Sequence, residues 1–214
     1  MKGRHVIVPP LSAWKVTDGS TVQSPAVIGR AMKIADCEIL ILPGYAGSED
    51  EHWQARWADR LSTGRIVVQD DWHHPDAEAW RRRIVEAVNS ATRPVILIAH
   101  SLGVVAAVQA APSFAPGIVR GALLVAFPDV ETTPNLPVSV TAFAPVPRDP
   151  LNFPSLVVAS RNDPYCSYAR AEDFAYAWGA VVVDAGESGH INVESGHGPW
   201  PEGLMRLAGF MKTL

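Results

Sequence analysis

The sequence predicts an α/β fold in which helices cover both faces of a mostly parallel sheet of about six strands, forming a three-layer sandwich. Short apolar runs alternate with segments of helical spacing from residue 38 to the end of the chain. The runs are continuously apolar, which is typical of strands that are buried on both faces of a parallel sheet. The 214 residues are 48% hydrophobic, enough for one core, because single cores stop growing only near about 250–300 residues.

Six apolar runs predict the strands. The first, EILILPG, is a short apolar stretch that ends at Pro-Gly, which suits a buried strand followed by a turn. The others have similar length, and the fifth begins at a proline. The predicted strands are 38–44, 65–69, 93–99, 121–127, 154–160 and 180–186.

Helical spacing and end signals predict four helices between these strands and a fifth after the last strand. In the first, Trp53, Trp57 and Leu61 form one apolar stripe. The second has Pro75 and acidic residues in its first turn, where the helix dipole favours them. The fourth ends at Gly179, a common residue after a helix. The predicted helices are 51–61, 75–91, 101–111, 168–179 and 201–214.

Two segments interrupt this alternation. Residues 1–36 have no regular period, and we expect an N-terminal extension packed on a single domain formed by residues 37–214. Residues 128–153 contain six prolines, which exclude a long helix. We interpret this segment as a rigid excursion over one edge of the domain rather than a linker, because the strands on both sides belong to one pattern.

Composition excludes several classes of function. The net charge is −4 and the longest basic run is Arg81 to Arg83, so we expect no nucleic-acid partner. There is no apolar run of about 18 residues and no signal peptide, so we expect a cytoplasmic protein without a membrane segment. Cys37 and Cys166 have no metal-binding spacing, which favours reduced thiols and no metal or other cofactor.

Three residues that could carry chemistry follow predicted strands. Ser101 follows the third strand, Asp163 the fifth and His190 the sixth. Ligands of open α/β sheets gather at the carboxyl ends of strands, so these side chains are expected to meet. The chain order Ser, Asp, His is that of α/β-hydrolases. We therefore predict a catalytic triad with Ser101 as the nucleophile.

The chemistry requires these residue types. A serine hydroxyl is a weak nucleophile until a base takes its proton, and a neutral imidazole such as that of His190 is suited to do so. A carboxylate such as that of Asp163 orients the imidazole and stabilises its protonated form. The oxyanion needs two N–H donors. We expect them from Leu102, after the nucleophile, and from Tyr45, in the loop after the first strand.

The turn around Ser101 departs from the G-x-S-x-G pattern because Ala99 stands at the first glycine position. Small residues are needed there because a strand and a helix approach each other closely. Alanine is the next smallest residue after glycine, and Gly103 retains the second position. Alone, the motif is a weak signal. The ordered Asp163 and His190 at later strand ends strengthen it.

From residue 38 onward the chain resembles the small serine hydrolases typified by retinoblastoma-binding protein nine and the bacterial YdeN-type proteins. The stretches that carry the resemblance are LPGYAGSEDEHWQARW, DDWHHPDAEAW, AHSLG, SRNDPYCSYARAEDFAYAWGA and GHINVESGHGPWPEG. The resemblance implies an α/β-hydrolase fold, the roles given above for Ser101, Asp163 and His190, and tolerance of alanine at position 99. The N-terminal extension departs from the family, whose members usually begin near the first strand.

Other histidines and a tryptophan are further candidates for the site. His197 competes with His190 as the base, but His190 lies in the first loop after the last strand and is favoured. His52 and Trp72 are candidates for the substrate pocket. His100 borders the nucleophile and is also a pocket candidate, although we expect its side chain mainly to pack. The stretch DDWHHPD has metal-ligand residue types, but adjacent histidines rarely bind one ion, so no metal is predicted.

The sequence thus predicts a serine esterase or related acyl hydrolase that uses no cofactor. The partner would be a small-molecule ester or acyl substrate, and a protein partner or a homodimer stays open. An alternative function is a protein-binding module that retains the fold with little or no catalysis. The pattern of residues does not discriminate among esters, thioesters and amides.

Overall fold

The computed structural model describes residues 32–214, so the predicted N-terminal extension lies outside the described residues except for its last five. Those residues include a short 3-10 helix, Ile34–Asp36. The strands are β1 (Glu38–Leu42), β2 (Gly64–Ile66), β3 (Val95–His100), β4 (Val119–Val125), β5 (Ser155–Ala159) and β6 (Val181–Asp184). The helices are α1 (Trp53–Arg60), α2 (Ala77–Asn89), α3 (Leu102–Ala110), α4 (Val138–Thr141), α5 (Tyr168–Ala177) and α6 (Pro201–Met211).

All six strands pair in parallel in the order β2-β1-β3-β4-β5-β6. The predicted α/β sandwich is confirmed. After β1 the chain moves outward to β2, then returns past β1 to β3 and continues in the opposite direction. The strand order therefore reverses between β1 and β3. Crevices at such a reversal are the usual ligand sites of open α/β sheets.

Side chains alternate across β3 to fill two cores. On one face Val95, Leu97 and Ala99 join the core that packs under α2, α3 and α5. On the other face Ile96 and Ile98 join the core that packs under α1 and α6. Every residue of β3 is buried, as its continuously apolar sequence predicts. The described residues form one compact unit.

Helix ends follow the local chemistry of the sequence. The Asp76 carboxylate accepts a hydrogen bond from the Ala79 N–H at 2.7 Å and begins α2. The Ser167 hydroxyl accepts one from the Arg170 N–H at 3.3 Å and begins α5. Gly179 has a positive φ of 67° just after α5, as the sequence predicted for the helix end. None of the helices in the described part of the chain is long and apolar enough to cross a membrane.

The proline-rich segment 128–153 folds back onto the same domain. Its only α-helix is the four-residue α4, consistent with the proline content. Val130, Val140, Phe143 and Val146 are buried in the core on the α2, α3 and α5 side of the sheet. The segment is therefore a packed excursion, as predicted, and not a linker.

A partly buried ion pair joins this excursion to α5. The Arg170 guanidinium donates to the Asp129 carboxylate at 2.7 Å and to Glu131 at 2.5 Å, and the Thr132 hydroxyl donates to Asp129 at 2.5 Å. The Asp129 side chain is only 3% exposed. Burial opposes ionisation of Asp129, but hydrogen bonds from Arg170 and Thr132 outweigh it and lower the pKa of the carboxyl below its usual value.

We expect Arg170→Met to lower the free energy of unfolding by about 3 kcal/mol, because it leaves the buried Asp129 carboxylate without its cation. Arg148→Met is a matched control. Its guanidinium also lies over the Phe174 ring and bonds to Asp173, but this pair is exposed and should contribute less than about 1 kcal/mol. Urea denaturation of the two variants would measure the difference, and equal losses would contradict the role given to Arg170.

Candidate active site

Ser101, Asp163 and His190 meet at the carboxyl edge of the sheet. The Ser101 hydroxyl lies 2.9 Å from His190 Nε2. His190 Nδ1 lies 3.0 and 3.1 Å from the two carboxylate oxygens of Asp163. The Asp163 side chain is 3% exposed and that of His190 is 10% exposed. The three predicted triad residues thus form one hydrogen-bonded chain that is shielded from water except at its serine end.

The turn at Ser101 is a strained connection between β3 and α3. Ser101 has a φ of 55° and a ψ of −132°, a conformation that residues with side chains rarely adopt. The Ser101 N–H donates to the Val125 carbonyl at 3.0 Å, which holds the turn against β4. A Cβ at Gly103 would lie 2.3 Å from the Leu42 carbonyl oxygen, so only glycine fits there. Ala99 is fully buried in the core.

The loop after β1 lies against Ser101. A Cβ at Gly44 would be 2.6 Å from the Ser101 Cβ and 3.0 Å from the Leu102 nitrogen, so the two backbones are in close contact. The Gly47 N–H bonds to the Gly44 carbonyl at 3.0 Å and closes a turn around Tyr45. Among the described residues, neither the Tyr45 N–H nor the Leu102 N–H has a hydrogen-bond acceptor. Both donors predicted for the oxyanion are therefore free beside Ser101.

A cavity of about 300 Å³ opens beside Ser101. The proline-rich excursion contributes apolar side chains to the lining. Polar groups in the lining include those of Ser101, Tyr165 and His190. Within the described part of the chain, His190 is the only histidine in the lining, and no Lys, Arg, Asp or Glu side chain contributes to it. The lining residues are Tyr45, Ser101, Leu102, Pro128, Asn135, Leu136, Pro137, Val140, Tyr165, His190 and Asn192.

Seven of these lining residues were not among the predicted site residues, and two of the seven, Pro128 and Pro137, belong to the proline-rich segment. Tyr165 and Asn192 each lie two positions after a triad residue, a spacing that could have indicated them. The Tyr165 ring meets the His190 ring edge-on, with 4.6 Å between centroids. Asn135, Leu136 and Val140 come from the excursion, and nothing local in their sequence indicates the pocket.

The predicted pocket residues His52, Trp72 and His100 do not line this cavity, which corrects the sequence interpretation. His52 begins α1, where its Nδ1 accepts a hydrogen bond from the Gln54 N–H at 3.2 Å. His100 is buried beneath the triad, with Nε2 2.8 Å from the His190 carbonyl oxygen. The Trp72 carbonyl accepts from the Ala46 N–H at 2.8 Å, so this residue supports the loop after β1. All three contact the frame of the site rather than the space for substrate.

The buried histidines are held in the neutral form. Burial, followed by the proximity of His190, lowers the pKa of His52 to about 4. Burial also lowers the pKa of His100 well below its usual value, with His190 and His52 acting in the same direction. The His52 and His100 rings lie 5.0 Å apart, and the His100 and His190 rings are also 5.0 Å apart. His190 therefore has two uncharged imidazoles beneath it.

The remaining candidates have structural partners of their own. His197 Nδ1 lies 3.2 Å from the Ser195 hydroxyl and not beside Ser101. In the DDWHHPD stretch, the Asp71 carboxylate accepts the backbone N–H groups of His73 and His74 at 2.8 Å, which orders the loop before α2. Over residues 32–214, no group of three His, Cys, Asp or Glu residues is arranged to hold a metal ion.

Comparison with known proteins gives a consistent result. The model of the family described as serine hydrolase matches residues 39–209. A search of curated proteins finds no match. A protein described as a YdeN-like hydrolase, from Pectobacterium atrosepticum, is 36% identical, with a TM-score of 0.74 over 84% of this chain and 94% of that chain.

Two more distant solved structures show likeness of fold alone. The ydeN gene product of B. subtilis is 19% identical, with a TM-score of 0.68 over 81% of this chain and 97% of that chain. The esterase RhEst1 from Rhodococcus sp. is 16% identical, with a TM-score of 0.57 over 85% of this chain and 90% of that chain.

The free energy of unfolding should fall as the pH is lowered from about 6.5 toward 4. In this range the unfolded chain binds a proton at His52 and the folded chain does not, because the ring is buried and its Nδ1 already accepts the Gln54 N–H. For such a group, each pH unit in this window weakens the fold by up to about 1.4 kcal/mol.

His52→Asn removes this titrating group and keeps an acceptor that can begin α1, so it should reduce the pH dependence. The part due to His100 should persist. His74→Asn, at an exposed histidine, should leave the dependence unchanged. Urea denaturation at several pH values between 7 and 4 would measure the slopes. A slope in His52→Asn equal to that of the wild type would refute the assignment.

Proposed function

The chain belongs to the serine hydrolase family, and from that membership we propose that it hydrolyses carboxylic esters or related acyl compounds through an acyl-enzyme intermediate. The resemblance to YdeN-type hydrolases that the sequence predicted is confirmed by the comparisons. The observation that carries the proposal is the unbroken hydrogen-bonded chain from Asp163 through His190 to Ser101, which ends at the cavity. This arrangement supports catalysis over the alternative of a binding module.

Acylation uses all five candidate residues. The Ser101 Oγ attacks the acyl carbon while its proton passes to His190 Nε2. His190 Nδ1–H donates to Asp163, which stabilises the imidazolium that forms. The negative oxygen of the tetrahedral intermediate accepts hydrogen bonds from the Tyr45 and Leu102 N–H groups. The bond from carbon to the leaving oxygen then breaks, and that oxygen takes the proton from Nε2.

Deacylation repeats these steps with water. Nε2 takes a proton from the water as its oxygen attacks the acyl carbon. The second tetrahedral intermediate collapses, the bond to Ser101 Oγ breaks, and the proton returns to the serine. The acid is released and the free enzyme is restored without a cofactor.

The cavity supports a preference for small, uncharged acyl groups. Its volume of about 300 Å³ is at the lower end of the range for small-molecule sites. Leu136, Pro137 and Val140 form an apolar wall, and the lining includes no side chain that could pair with a charged acyl chain. We infer that acetyl to butyryl groups fit, and that carbons beyond them stay in water and forgo about 0.8 kcal/mol for each CH₂.

The triad assignment is tested by comparing two histidines and the serine. Ser101→Ala should abolish p-nitrophenyl acetate hydrolysis and fluorophosphonate labelling while the circular dichroism spectrum is unchanged. His190→Ala should lower kcat by about 10³-fold or more, because the triad acts as a unit. His197→Ala is the matched control and should retain most activity. Wild-type turnover by Ser101→Ala would show that the nucleophile is misassigned.

The acyl preference is tested by kcat/KM for p-nitrophenyl esters of two to twelve carbons. We expect a maximum at or below four carbons. Val140→Ala, which removes methyl groups from the buried wall, should move the maximum to longer chains. Val138→Ala is the control on the same helix, since Val138 is 85% exposed and does not line the cavity. A value that keeps rising to twelve carbons in the wild type would contradict a small acyl site.

A further inference from the structure

The backbone that carries His190 is held by two buried ring N–H groups from other parts of the chain. His100 Nε2 lies 2.8 Å from the His190 carbonyl oxygen, and Trp53 Nε1 donates to the Ile191 carbonyl at 2.9 Å. Both rings are buried. Two successive carbonyls next to the base are thus fixed by residues 90 and 138 positions away in the sequence.

The loop needs such restraint because its conformation is unfavourable. Ile191 has a φ of 49°, which is costly for a residue branched at Cβ. Gly189, on the other side of His190, has a φ of 56°. Strain of this kind persists only where surrounding contacts determine the backbone. The Ile191 N–H donates to the Ser188 carbonyl at 3.2 Å, and on the other side of His190 the Gly189 N–H donates to the Asn162 side chain at 2.7 Å. These bonds restrain N–H groups of the loop and leave the carbonyls of His190 and Ile191 to other partners.

The two donors are chemically suited to this task. A carbonyl oxygen only accepts hydrogen bonds, so the neutral His100 ring must carry its one proton on Nε2. The indole of Trp53 is a donor only. The rings also support each other, since those of Trp53 and His100 meet edge-on with centroids 5.7 Å apart. His100 is the last residue of β3, directly before the nucleophile, so its bond joins the backbones of nucleophile and base.

We propose that His100 and Trp53 are positioning residues whose ring N–H groups hold the His190–Ile191 backbone so that His190 Nε2 stays within hydrogen-bonding distance of Ser101. The inference rests on the proposed function of His190 as the base. It gives a role to Trp53, the first residue of the apolar stripe on α1, and to His100, the histidine of AHSLG, neither of which lines the cavity. Neither residue meets the reacting atoms.

Trp53→Phe and Trp57→Phe form a matched pair that tests the Trp53 bond. Both indoles are buried in the same aromatic cluster on α1, with centroids 4.7 Å apart. Among the described residues, however, the Trp57 N–H has no hydrogen-bond acceptor. Trp53→Phe should lower kcat by about tenfold or more with little change in KM, because a small displacement of a catalytic group slows the reaction strongly. Trp57→Phe should stay within about twofold of the wild type in kcat, since it removes no bond to the loop.

A second pair tests the His100 bond by rescue. His100→Phe keeps a planar ring but has no donor, and we expect kcat to fall by about tenfold or more. His100→Gln places an amide N–H near the position of Nε2 and should recover most of that loss. All rates are measured on full-length protein at a temperature well below each thermal midpoint. If one variant does not fold, the other pair decides. Equal kcat values within both pairs would overturn the proposal.

Fluorophosphonate labelling separates this proposal from the function on which it rests. A wild-type protein that is neither labelled nor active on p-nitrophenyl acetate would refute the proposed function itself. A wild type that is labelled at Ser101, with Trp53→Phe and Trp57→Phe labelled at equal rates and His100→Phe labelled as fast as His100→Gln, would refute only the positioning role. Slower labelling of Trp53→Phe and His100→Phe alone would support it.

Discussion

The site depends on the close approach of the end of β1 to the start of α3. Gly103 packs so tightly on the carbonyls of Leu42 and Pro43 that no side chain fits between them. This contact brings the loop after β1 over Ser101 and leaves the N–H groups of Tyr45 and Leu102 free beside its hydroxyl. The strained backbone of Ser101 is held by β4, through the hydrogen bond to the Val125 carbonyl, and by the end of β1, which packs on Gly103. The positions of the proposed nucleophile and of its proposed oxyanion donors therefore follow from one packing constraint.

Polar groups buried beneath this contact connect it to His190. The Gln54 side chain, fully buried, donates to the carbonyls of Leu42 and Ile98 and so joins the ends of β1 and β3. Next to it, the neutral rings of His52 and His100 fill the space under His190. A buried polar group is stabilising only when it is paired, and a charged imidazole there would oppose protonation of the base. Burial thus keeps the rings of His52 and His100 uncharged.

The substrate side of the site has a different origin. Its apolar wall belongs to the proline-rich excursion and not to the sheet. The excursion is held by the partly buried pair of Asp129 and Arg170 and by apolar residues packed into the core. The proposed catalytic groups follow strand ends, where the sheet determines their positions. The wall lies on a long connection, so the proposed acyl-chain selectivity would depend on a part of the molecule that can change without disturbing Ser101, Asp163 and His190.

Apolar periodicity and the positions of Ser101, Asp163 and His190 were sufficient to predict the parallel fold and the residues that meet at its edge. Strand ends on one side of a parallel sheet necessarily converge, so a local pattern contains this information. The lining from Asn135 to Val140, and the actual positions of His52, Trp72 and His100, were decided only by tertiary structure. Their contacts join residues far apart in the chain, and spacing within a segment tells which face is buried but not which distant group lies against it.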